Sequence, residues 1–326
     1  LSSALQDFRD GDRSIHMRAL AFISILLILG LGSLGLYLFR PFLDYPKPAE
    51  LVCLDPSEGR FEPLQPPGQV YGLGLSYAGH IAEAPGLYNP GEGPLAFRKH
   101  VHAVNYSDEI VYPSREALLQ AVRNLDPLHA ENLSEAFAEI PALLDYEVEV
   151  GLQVLEDISR SNLARSEYSP PVGYFVANDI TARVLLGMAP EFSGTVAYLA
   201  EGKGLPGFLP VGDRVWVPTE AGPDSWLCVE LRTEVNGEVR QSASSSDIVA
   251  GPREVLAGIA DAFELEGFRA GDWVITGTPP GVASQVPGWI QRGLSLVDPS
   301  AETKLGFMIG GSAFDPAYLQ PGDVVT

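Results

Sequence analysis

Basic residues are scarce in this sequence, and lysine is the scarcest of them. The 326 residues include 21 lysines and arginines against 42 aspartates and glutamates, which gives a formal net charge of −21. An electrostatic field of this sign repels polyphosphates and excludes the binding of nucleic acid over a broad surface. Only four lysines occur, at Lys47, Lys99, Lys203 and Lys304.

Cysteine and histidine are also rare. The two cysteines, Cys53 and Cys228, supply neither a disulfide framework nor a zinc-finger spacing, and they leave the redox compartment undecided. Residues 74–78 nearly match the nucleophile elbow of the serine hydrolases. Such an enzyme also needs a histidine late in the chain, but the last histidine is His129. The residue order therefore argues against an α/β-hydrolase triad.

The regular strand–helix alternation of a doubly wound sheet is missing too. Strand character is found at residues 146–150, 214–217, 226–235 and 273–276. Helical patterning is found at residues 114–140, with a second short helix expected around residues 131–139, and at residues 252–263. The pair Asn236-Gly237 between two strand segments predicts a two-residue hairpin turn. The hydrophobic fraction of 46% allows a sizeable core. Together these features predict a β-rich α+β fold.

A run of residues without charge, 19–39, breaks this pattern of a water-soluble chain. Its length is that of a helix crossing a bilayer, and Arg18 and Arg40 flank it. We favour an uncleaved transmembrane anchor; a cleaved secretory signal and a buried helix are the alternatives. This interpretation predicts a protein anchored to a membrane, the bacterial inner membrane, by one N-terminal helix. The flanking arginines do not fix which side of the membrane the main domain occupies.

Three acidic residues alternate along one predicted strand. Asp145, Glu147 and Glu149 share a face of that strand, about 6.6 Å apart per pair. Aligned like charges are tolerated if the face is solvated, which is the ordinary explanation for an alternating strand. The alternative is a hard divalent cation bound by carboxylate oxygens. A further carboxylate would then come from elsewhere, and Asp179 is a candidate about 30 residues later.

His80 and Glu83 are three residues apart, so that on a helical turn the carboxylate can orient the imidazole. An ordinary surface pair is the alternative. Lys99 and Lys203 are notable because lysine is so rare. The turn at residues 276–281 has amides and hydroxyls that can hold a carboxylate.

These segments occur together in an order that resembles the fumarylacetoacetate hydrolase family over residues 70–326. The matching segments are Ser76-Tyr77-x-x-His80-x-x-Glu83, Pro94-x-x-Phe97-x-Lys99, Asp145-x-Glu147-x-Glu149, Gly173-Tyr174-x-x-x-Asn178-Asp179-x-Thr181-x-Arg183, Lys203-Gly204, Asn236-Gly237-Glu238-x-x-Gln241, and Gly271-Asp272-x-x-x-Thr276-Gly277-Thr278-Pro279-x-Gly281.

The resemblance implies a mixed β-sheet roll or sandwich with few helices, usually assembled as a homodimer. We add to it the transmembrane helix described above. The resemblance also implies one divalent cation in each site, Mg²⁺ foremost, with Mn²⁺ and Ca²⁺ as alternatives. Its ligands would be Glu147, Glu149 and Asp179.

The resemblance assigns roles to the remaining candidates. His80, oriented by Glu83, would be the general base that activates water. Lys203 would stabilise developing negative charge. The predicted substrate-binding residues are Tyr77, Lys99, Arg183 and Thr278.

The expected function is that of a metal-dependent enzyme acting on a small anionic 2-oxo or β-diketo acid through a metal-bound enolate. Hydrolysis of a carbon–carbon bond in an acylpyruvate-type substrate is the first choice. Decarboxylation, isomerisation or hydration of a related 2-oxo acid would use the same residues. A membrane-tethered homologue that binds metal and ligand without turnover is a further alternative.

The resemblance is incomplete at several positions. Ser76 stands where the family has asparagine. Pro206 stands where the family often has an aspartate after a Lys-Gly-Phe segment. The family normally continues beyond the position of Thr326 into a final strand, so we expect either a longer natural protein or a copy that lacks this edge strand. The predicted organisation is a tail (1–16), an anchor or signal segment (17–40), a proline-rich linker (41–68) and a catalytic domain (69–326) with a helical insertion at 114–140.

Overall fold

The computed structural model describes residues 46–83, 95–191, 194–284, 300–312, 315 and 317–326. The strands in these residues are β1 (Val52–Cys53), β2 (Gly59–Pro63), β3 (Val70–Gly74), β4 (Leu95–Lys99), β5 (Val104–Asn105), β6 (Leu144–Asp145), β7 (Val148–Val154), β8 (Ile158–Ser159), β9 (Val172–Asn178), β10 (Thr181–Ala182), β11 (Leu209–Pro210), β12 (Arg214–Pro218), β13 (Ser225–Trp226), β14 (Glu230–Val235), β15 (Glu238–Ser244), β16 (Gly267–Phe268) and β17 (Trp273–Ile275).

The helices are short. The α-helices of the described residues are α1 (Ala78–Glu83), α2 (Arg115–Leu125), α3 (Pro127–Ala136), α4 (Arg160–Leu163), α5 (Val184–Met188), α6 (Thr195–Lys203), α7 (Pro252–Ala262) and α8 (Ala301–Ser312). Single 3₁₀ turns lie at Val101–Ala103 and Ser245–Asp247.

One seven-stranded sheet organises the domain. Its strand order is β2-β12-β9-β7-β17-β3-β4. All neighbours are antiparallel except β17 and β3, so the sheet is mixed. The strand β7 lies inside the sheet, between β9 and β17. The β-rich fold predicted from the sequence is therefore confirmed.

The two faces of β7 differ in chemistry because side chains alternate along a strand. Val148, Val150 and Leu152 point to a buried cluster that includes Val255 and Ile259 of α7. The intervening residues of the strand point to the opposite face, where Phe175 and Trp273 belong to a second buried cluster. Since every residue of β7 is buried, any carboxylate on this strand is removed from water.

The hairpin β14–β15 turns where the Asn-Gly pair predicts. Asn236 and Gly237 have φ values of 53° and 81°. Positive φ at both central residues is the requirement of a type I′ turn, which matches the twist of the paired strands.

The predicted helices are confirmed as well. Ser114 caps α2 by accepting a hydrogen bond from the Ala117 amide at 3.2 Å. The apolar face of α2 is buried at Leu118, Leu119 and Val122. α3 follows it within residues 114–140, and α7 occupies the third predicted helical segment.

A disulfide joins Cys53 to Cys228 across a sequence separation of 175 residues. The pairing does not follow from the sequence, because two distant cysteines carry no spacing signal. The bond lies where β1 runs parallel to β13. Nearby, β2 pairs with β12 at the edge of the main sheet, so part of the proline-rich segment 41–68 contributes strands.

The transmembrane helix that we placed before the fold is not supported, and two predictions that depend on it are corrected. Over the described residues, no helix has both the length and the apolar character needed to cross a bilayer. The longest of these helices, α8, has 12 residues and spans about 18 Å, against roughly 30 Å for a hydrocarbon core. The run 19–39 lies outside the described residues. The fold is therefore a mixed β-sheet fold with few helices, and the membrane-anchored localisation is withdrawn.

Candidate metal centre

The three predicted metal ligands come together at one end of β7. Glu147, Glu149 and Asp179 are all buried, and one carboxylate oxygen from each lies within 4.8 Å of the others. The antiparallel pairing of Val148 with Asn178 brings the start of β7 to the end of β9. The Asp179 amide then donates to the Glu147 carbonyl at 2.8 Å. The sheet register itself therefore assembles the triad.

Two buried lysines contact the triad. The Lys203 Nζ atom lies 2.8 Å from a Glu147 oxygen and 2.7 Å from an Asp179 oxygen. It also donates to the Thr181 hydroxyl at 2.9 Å. The Lys99 ammonium donates to the other Asp179 oxygen. Burial lowers the pKa of Lys99, whereas for Lys203 the carboxylates outweigh burial and the pKa rises. Both lysines predicted to serve the site therefore reach it.

The carboxylates of the triad differ in electrostatic environment. Burial alone would raise the pKa of Glu147, but Lys203 and Arg183 outweigh it and lower the pKa to about 2. Burial and the neighbouring Asp179 raise the pKa of Glu149 well above its ordinary value. The difference arises because the cationic side chains contact Glu147 directly, at 2.8 Å from Lys203 and 2.6 Å from Arg183.

The triad fits a divalent cation. Within the described part of the chain, Glu149 Oε1 is buried without a hydrogen-bond partner, while its Oε2 accepts from the Gly277 amide at 2.7 Å. When all four buried carboxylates (Asp145, Glu147, Glu149, Asp179) are ionised, as metal binding requires, they meet three cationic side chains (Lys99, Lys203, Arg183), so one negative charge is left over. Carboxylate oxygens are the donors that hard cations prefer. A bound cation would satisfy both the free oxygen and the uncompensated charge.

Asp145 does not join the triad, although it shares the predicted strand face with Glu147 and Glu149. It belongs to β6, which pairs with β10 rather than continuing β7. Its carboxylate accepts hydrogen bonds from the amides of Ala283 at 2.7 Å and Ser284 at 3.2 Å. Arg183 Nε lies 2.7 Å from the same carboxylate. Asp145 therefore anchors a loop.

The backbone amides of that loop, residues 276–284, donate hydrogen bonds to three acidic side chains. The amide of Gly277 donates to Glu149, and the amide of Gly281 donates to Glu83 at 2.9 Å. Asp145 accepts hydrogen bonds from the two amides at the end of the loop. Gly277 and Gly281 have φ values of 89° and 104°, which glycine adopts without strain. The 276–284 loop thus links β7 to α1.

The predicted dyad lies on α1. His80 Nδ1 is 3.2 Å from Glu83 Oε2, and the imidazole is largely buried. The other oxygen of Glu83 is held by Gly281. His80 lies close enough to Glu147 that a proton added to its imidazole would lower the pKa of that carboxyl. The helix therefore places the dyad close to the triad.

Tyr77 and Thr278 lie in the same region. The Tyr77 hydroxyl is buried and has no hydrogen-bond partner among the described residues. Burial, and then the charge of Glu149, raise the pKa of Tyr77. The Thr278 hydroxyl donates to the Val148 carbonyl at 3.1 Å and accepts from Gln241 at 2.8 Å. The substrate contacts expected of both residues stay predictions.

Three residues that support the triad and its surroundings were not among the predicted site residues. Thr181 donates to Glu147 at 3.1 Å, and Asn178 accepts from the Glu147 amide at 2.9 Å. Gln241 contacts both the 276–284 loop and β7. All three belong to the segments that carry the family resemblance, and this membership was the available signal.

A family model described as fumarylacetoacetate (FAA) hydrolase C-terminal matches residues 69–326. The chain belongs to the fumarylacetoacetate hydrolase family. The resemblance drawn from the sequence is confirmed.

Curated relatives in this family are named for different reactions. The oxaloacetate tautomerase YisK of Bacillus subtilis (strain 168) is 28% identical over 218 residues, which are 67% of this chain and 60% of the relative. The bifunctional 4-hydroxyphenylacetate degradation isomerase/decarboxylase of Escherichia coli is 28% identical over 230 residues, 68% of this chain and 43% of the relative. The 2,4-didehydro-3-deoxy-L-rhamnonate hydrolase of Sphingomonas sp. (strain SKA58) is 27% identical over 221 residues, 68% of this chain and 64% of the relative. The chain thus spans between 43% and 64% of the length of these relatives.

Proposed function

We propose that this member of the fumarylacetoacetate hydrolase family is a divalent-metal-dependent enzyme that acts on a small anionic 2-oxo or β-diketo acid. The reaction we assign is hydrolysis of a carbon–carbon bond in an acylpyruvate-type substrate. The observation that carries the proposal is the buried triad with its free Glu149 oxygen, next to the dyad of His80 and Glu83.

Glu147, Glu149 and Asp179 would hold the cation, Mg²⁺ in the first place. When bound, a divalent cation polarises a substrate carbonyl and offsets negative charge on substrate oxygens. The remaining chemistry belongs to the side chains around the triad.

His80 supplies the base. Because the Glu83 carboxylate only accepts hydrogen bonds, the proton of the neutral imidazole lies on Nδ1 and points to Glu83. Nε2 is then left with a lone pair that can take a proton from water. The Gly281 amide fixes the second oxygen of Glu83, so the carboxylate is held in the orientation that the imidazole requires.

Lys203 supplies a positive charge beside the triad. Its ammonium group is buried against Glu147 and Asp179 and lies 5.3 Å from the centre of the Phe97 ring. The elevated pKa keeps this group charged at neutral pH. A fixed cation in a site removed from water stabilises negative charge that develops on a substrate oxygen.

Metal titration tests the proposal. The protein is loaded with Mg²⁺ or Mn²⁺ and assayed with acylpyruvates for carbon–carbon cleavage and with oxaloacetate for decarboxylation and tautomerisation. We expect cleavage that depends on the cation and is lost in Glu147→Gln. Turnover that persists at wild-type level in Glu147→Gln, or no turnover with any cation, contradicts the proposal.

A second candidate is a homologue that binds metal and ligand without turnover. The departures at Ser76 and Pro206 favour it, and the Ser76 hydroxyl is already used as a donor to the Thr276 carbonyl. Binding of Mn²⁺ and oxalate without conversion of any tested acid selects this candidate. Turnover that requires His80 rejects it.

We also propose that the protein assembles as a homodimer, as the family resemblance implies. Large apolar side chains remain exposed on the single chain, among them Phe61, Val111 and Phe307. Light scattering coupled to size exclusion measures the assembly: twice the mass of one chain supports the proposal, and the mass of one chain refutes it.

A further inference from the structure

Among the described strands, β17 ends before it reaches the predicted metal ligands. In a strand, the peptide groups of alternate residues face the same edge, so those of Val148 and Val150 both face β17. β17 pairs with residues 151–153 of β7 and ends at Ile275. The Thr276 amide and hydroxyl then reach the Val150 carbonyl at 3.1 and 2.8 Å. Val148 lies beyond the end of this pairing.

Side chains take over at Val148. Gln241 Oε1 accepts a hydrogen bond from the Val148 amide at 3.0 Å. The Thr278 hydroxyl donates to the Val148 carbonyl at 3.1 Å. Val148 is the residue between Glu147 and Glu149, so the backbone that joins two metal ligands is held by these two side chains.

The Gln241 amide uses its full hydrogen-bonding capacity. Its oxygen also accepts from the Thr233 hydroxyl at 3.0 Å. Its nitrogen donates to the Thr278 hydroxyl at 2.8 Å and to the Pro279 carbonyl at 3.1 Å. A primary amide has two acceptor and two donor positions, and all four are occupied here. The side chain is 1% exposed, so no water competes for these bonds.

The position of Gln241 in the chain makes this arrangement rigid. The residue lies on β15, opposite Thr233 of β14. The hairpin forms a sheet separate from the main sheet, and the backbones of β14 and β15 are paired with each other. The Gln241 side chain reaches the main sheet from this hairpin. One side chain thus connects the hairpin, the metal strand and the 276–284 loop.

We propose that Gln241 is a positioning residue of the metal centre. It fixes the peptide between Glu147 and Glu149 and thereby sets the separation of their carboxylates. This inference rests on the proposed metal site. Residues that orient metal ligands typically change metal affinity about 10–100-fold when they are replaced.

The test compares two buried glutamines of similar setting. Gln241→Met removes all four hydrogen bonds and keeps the side-chain volume. Gln153→Met is the matched control: Gln153 lies on β7, is also buried, and accepts from the Gln65 amide at 3.2 Å. Mn²⁺ affinity is measured by calorimetry, and thermal stability is measured without metal.

We expect both variants to melt at lower temperature than the wild type. Only Gln241→Met should bind Mn²⁺ more weakly, by about 10–100-fold. Wild-type affinity in Gln241→Met overturns the inference, and so does an equal loss in both variants, because the effect would then be general destabilisation. If Gln241→Met does not fold, Thr278→Val replaces it, with weaker Mn²⁺ binding expected and wild-type affinity overturning the inference.

The wild-type titration separates this inference from the proposed function. Wild-type protein that fails to bind Mn²⁺ removes the metal centre, and this inference with it. If the wild type binds Mn²⁺ and Gln241→Met binds it equally tightly, the metal centre stands and only the positioning role of Gln241 is refuted.

Discussion

Replacing Asp145 with asparagine tests whether a buried carboxylate, rather than the loop sequence, fixes the 276–284 loop. The substitution changes neither the size nor the shape of the side chain. It removes the negative charge and converts one acceptor oxygen into an NH₂ group. We expect a stable fold in which the end of the loop is loosened and the free energy of unfolding is reduced.

The magnitude follows from how the two oxygens are used. Oδ1 accepts from the amides of Tyr146 and Ala283 at 2.9 and 2.7 Å. Oδ2 accepts from the Ser284 amide at 3.2 Å and from Arg183 Nε at 2.7 Å. Asparagine keeps its oxygen at the first position, so its NH₂ group faces two donors at the second. Two hydrogen bonds to a charged acceptor are lost, those from Arg183 and from the Ser284 amide, about 3 kcal/mol in all. This lies at the lower end of the roughly 3–5 kcal/mol for a broken buried ion pair, because the arginine keeps its contact with Glu147 at 2.6 Å.

Thermal and urea unfolding of the metal-free protein measure this loss. About 3 kcal/mol corresponds to a melting temperature lower by roughly 6–12 °C for a domain of this size. Asp157→Asn is the matched control, because Asp157 also accepts from an arginine and an amide, Arg269 and Ala270, but its side chain is 58% exposed. We expect the control to unfold like the wild type. Equal losses in the two variants, or none in Asp145→Asn, would show that burial of this carboxylate does not hold the loop.

Three further predictions concern the dyad, the triad and the disulfide. Glu83→Gln presents an NH₂ group to His80 Nδ1 and forces the imidazole proton onto Nε2. The value of kcat should then fall by about 10²–10⁴-fold while the melting temperature stays unchanged. An unchanged kcat would show that His80 is not the base. The raised pKa of Glu149 favours the protonated form in the folded state, so metal-free stability should decrease as pH rises from the ordinary value of 4.5 through the folded pKa. That decrease should be absent in Glu149→Gln unfolded over the same pH series, and its persistence there assigns it to another group. Reduction of the bond between Cys53 and Cys228 should lower the free energy of unfolding by about 2–5 kcal/mol; identical urea curves with and without reductant would mean that the bond contributes nothing.

Local patterns were sufficient for much of the fold. The Asn-Gly pair predicts the hairpin because few residue pairs accept positive φ at both positions. Residues with strand-forming character predict the strands β7, β12, β14 and β17. The pairing of Cys53 with Cys228 was beyond such reasoning, since it depends on β1 lying beside β13. Hydropathy alone predicted an anchor at residues 19–39, and no helix among the described residues supports one.

The candidate site was predictable where its chemistry is local in sequence. Alternation brings Glu147 and Glu149 onto one face, and the family resemblance adds Asp179. The same alternation placed Asp145 with them, but the strand is interrupted between Leu144–Asp145 and Val148–Val154. A periodic pattern carries no mark of such a break. The hydrogen bonds of Gln241 likewise require the relative positions of hairpin, strand and loop, which one sequence does not reveal.

One face of β7 is apolar and the other carries Glu149. The number of residues in this strand is therefore constrained as strongly as their identity. A single-residue deletion within Val148–Val154 would turn the residues on one side of the deleted position to the opposite face of the sheet. A substitution on this strand alters one side chain, whereas such a deletion misplaces several at once. In a library of variants, this strand should therefore tolerate some exchanges of side chain and no change of length, and surface loops should accept both.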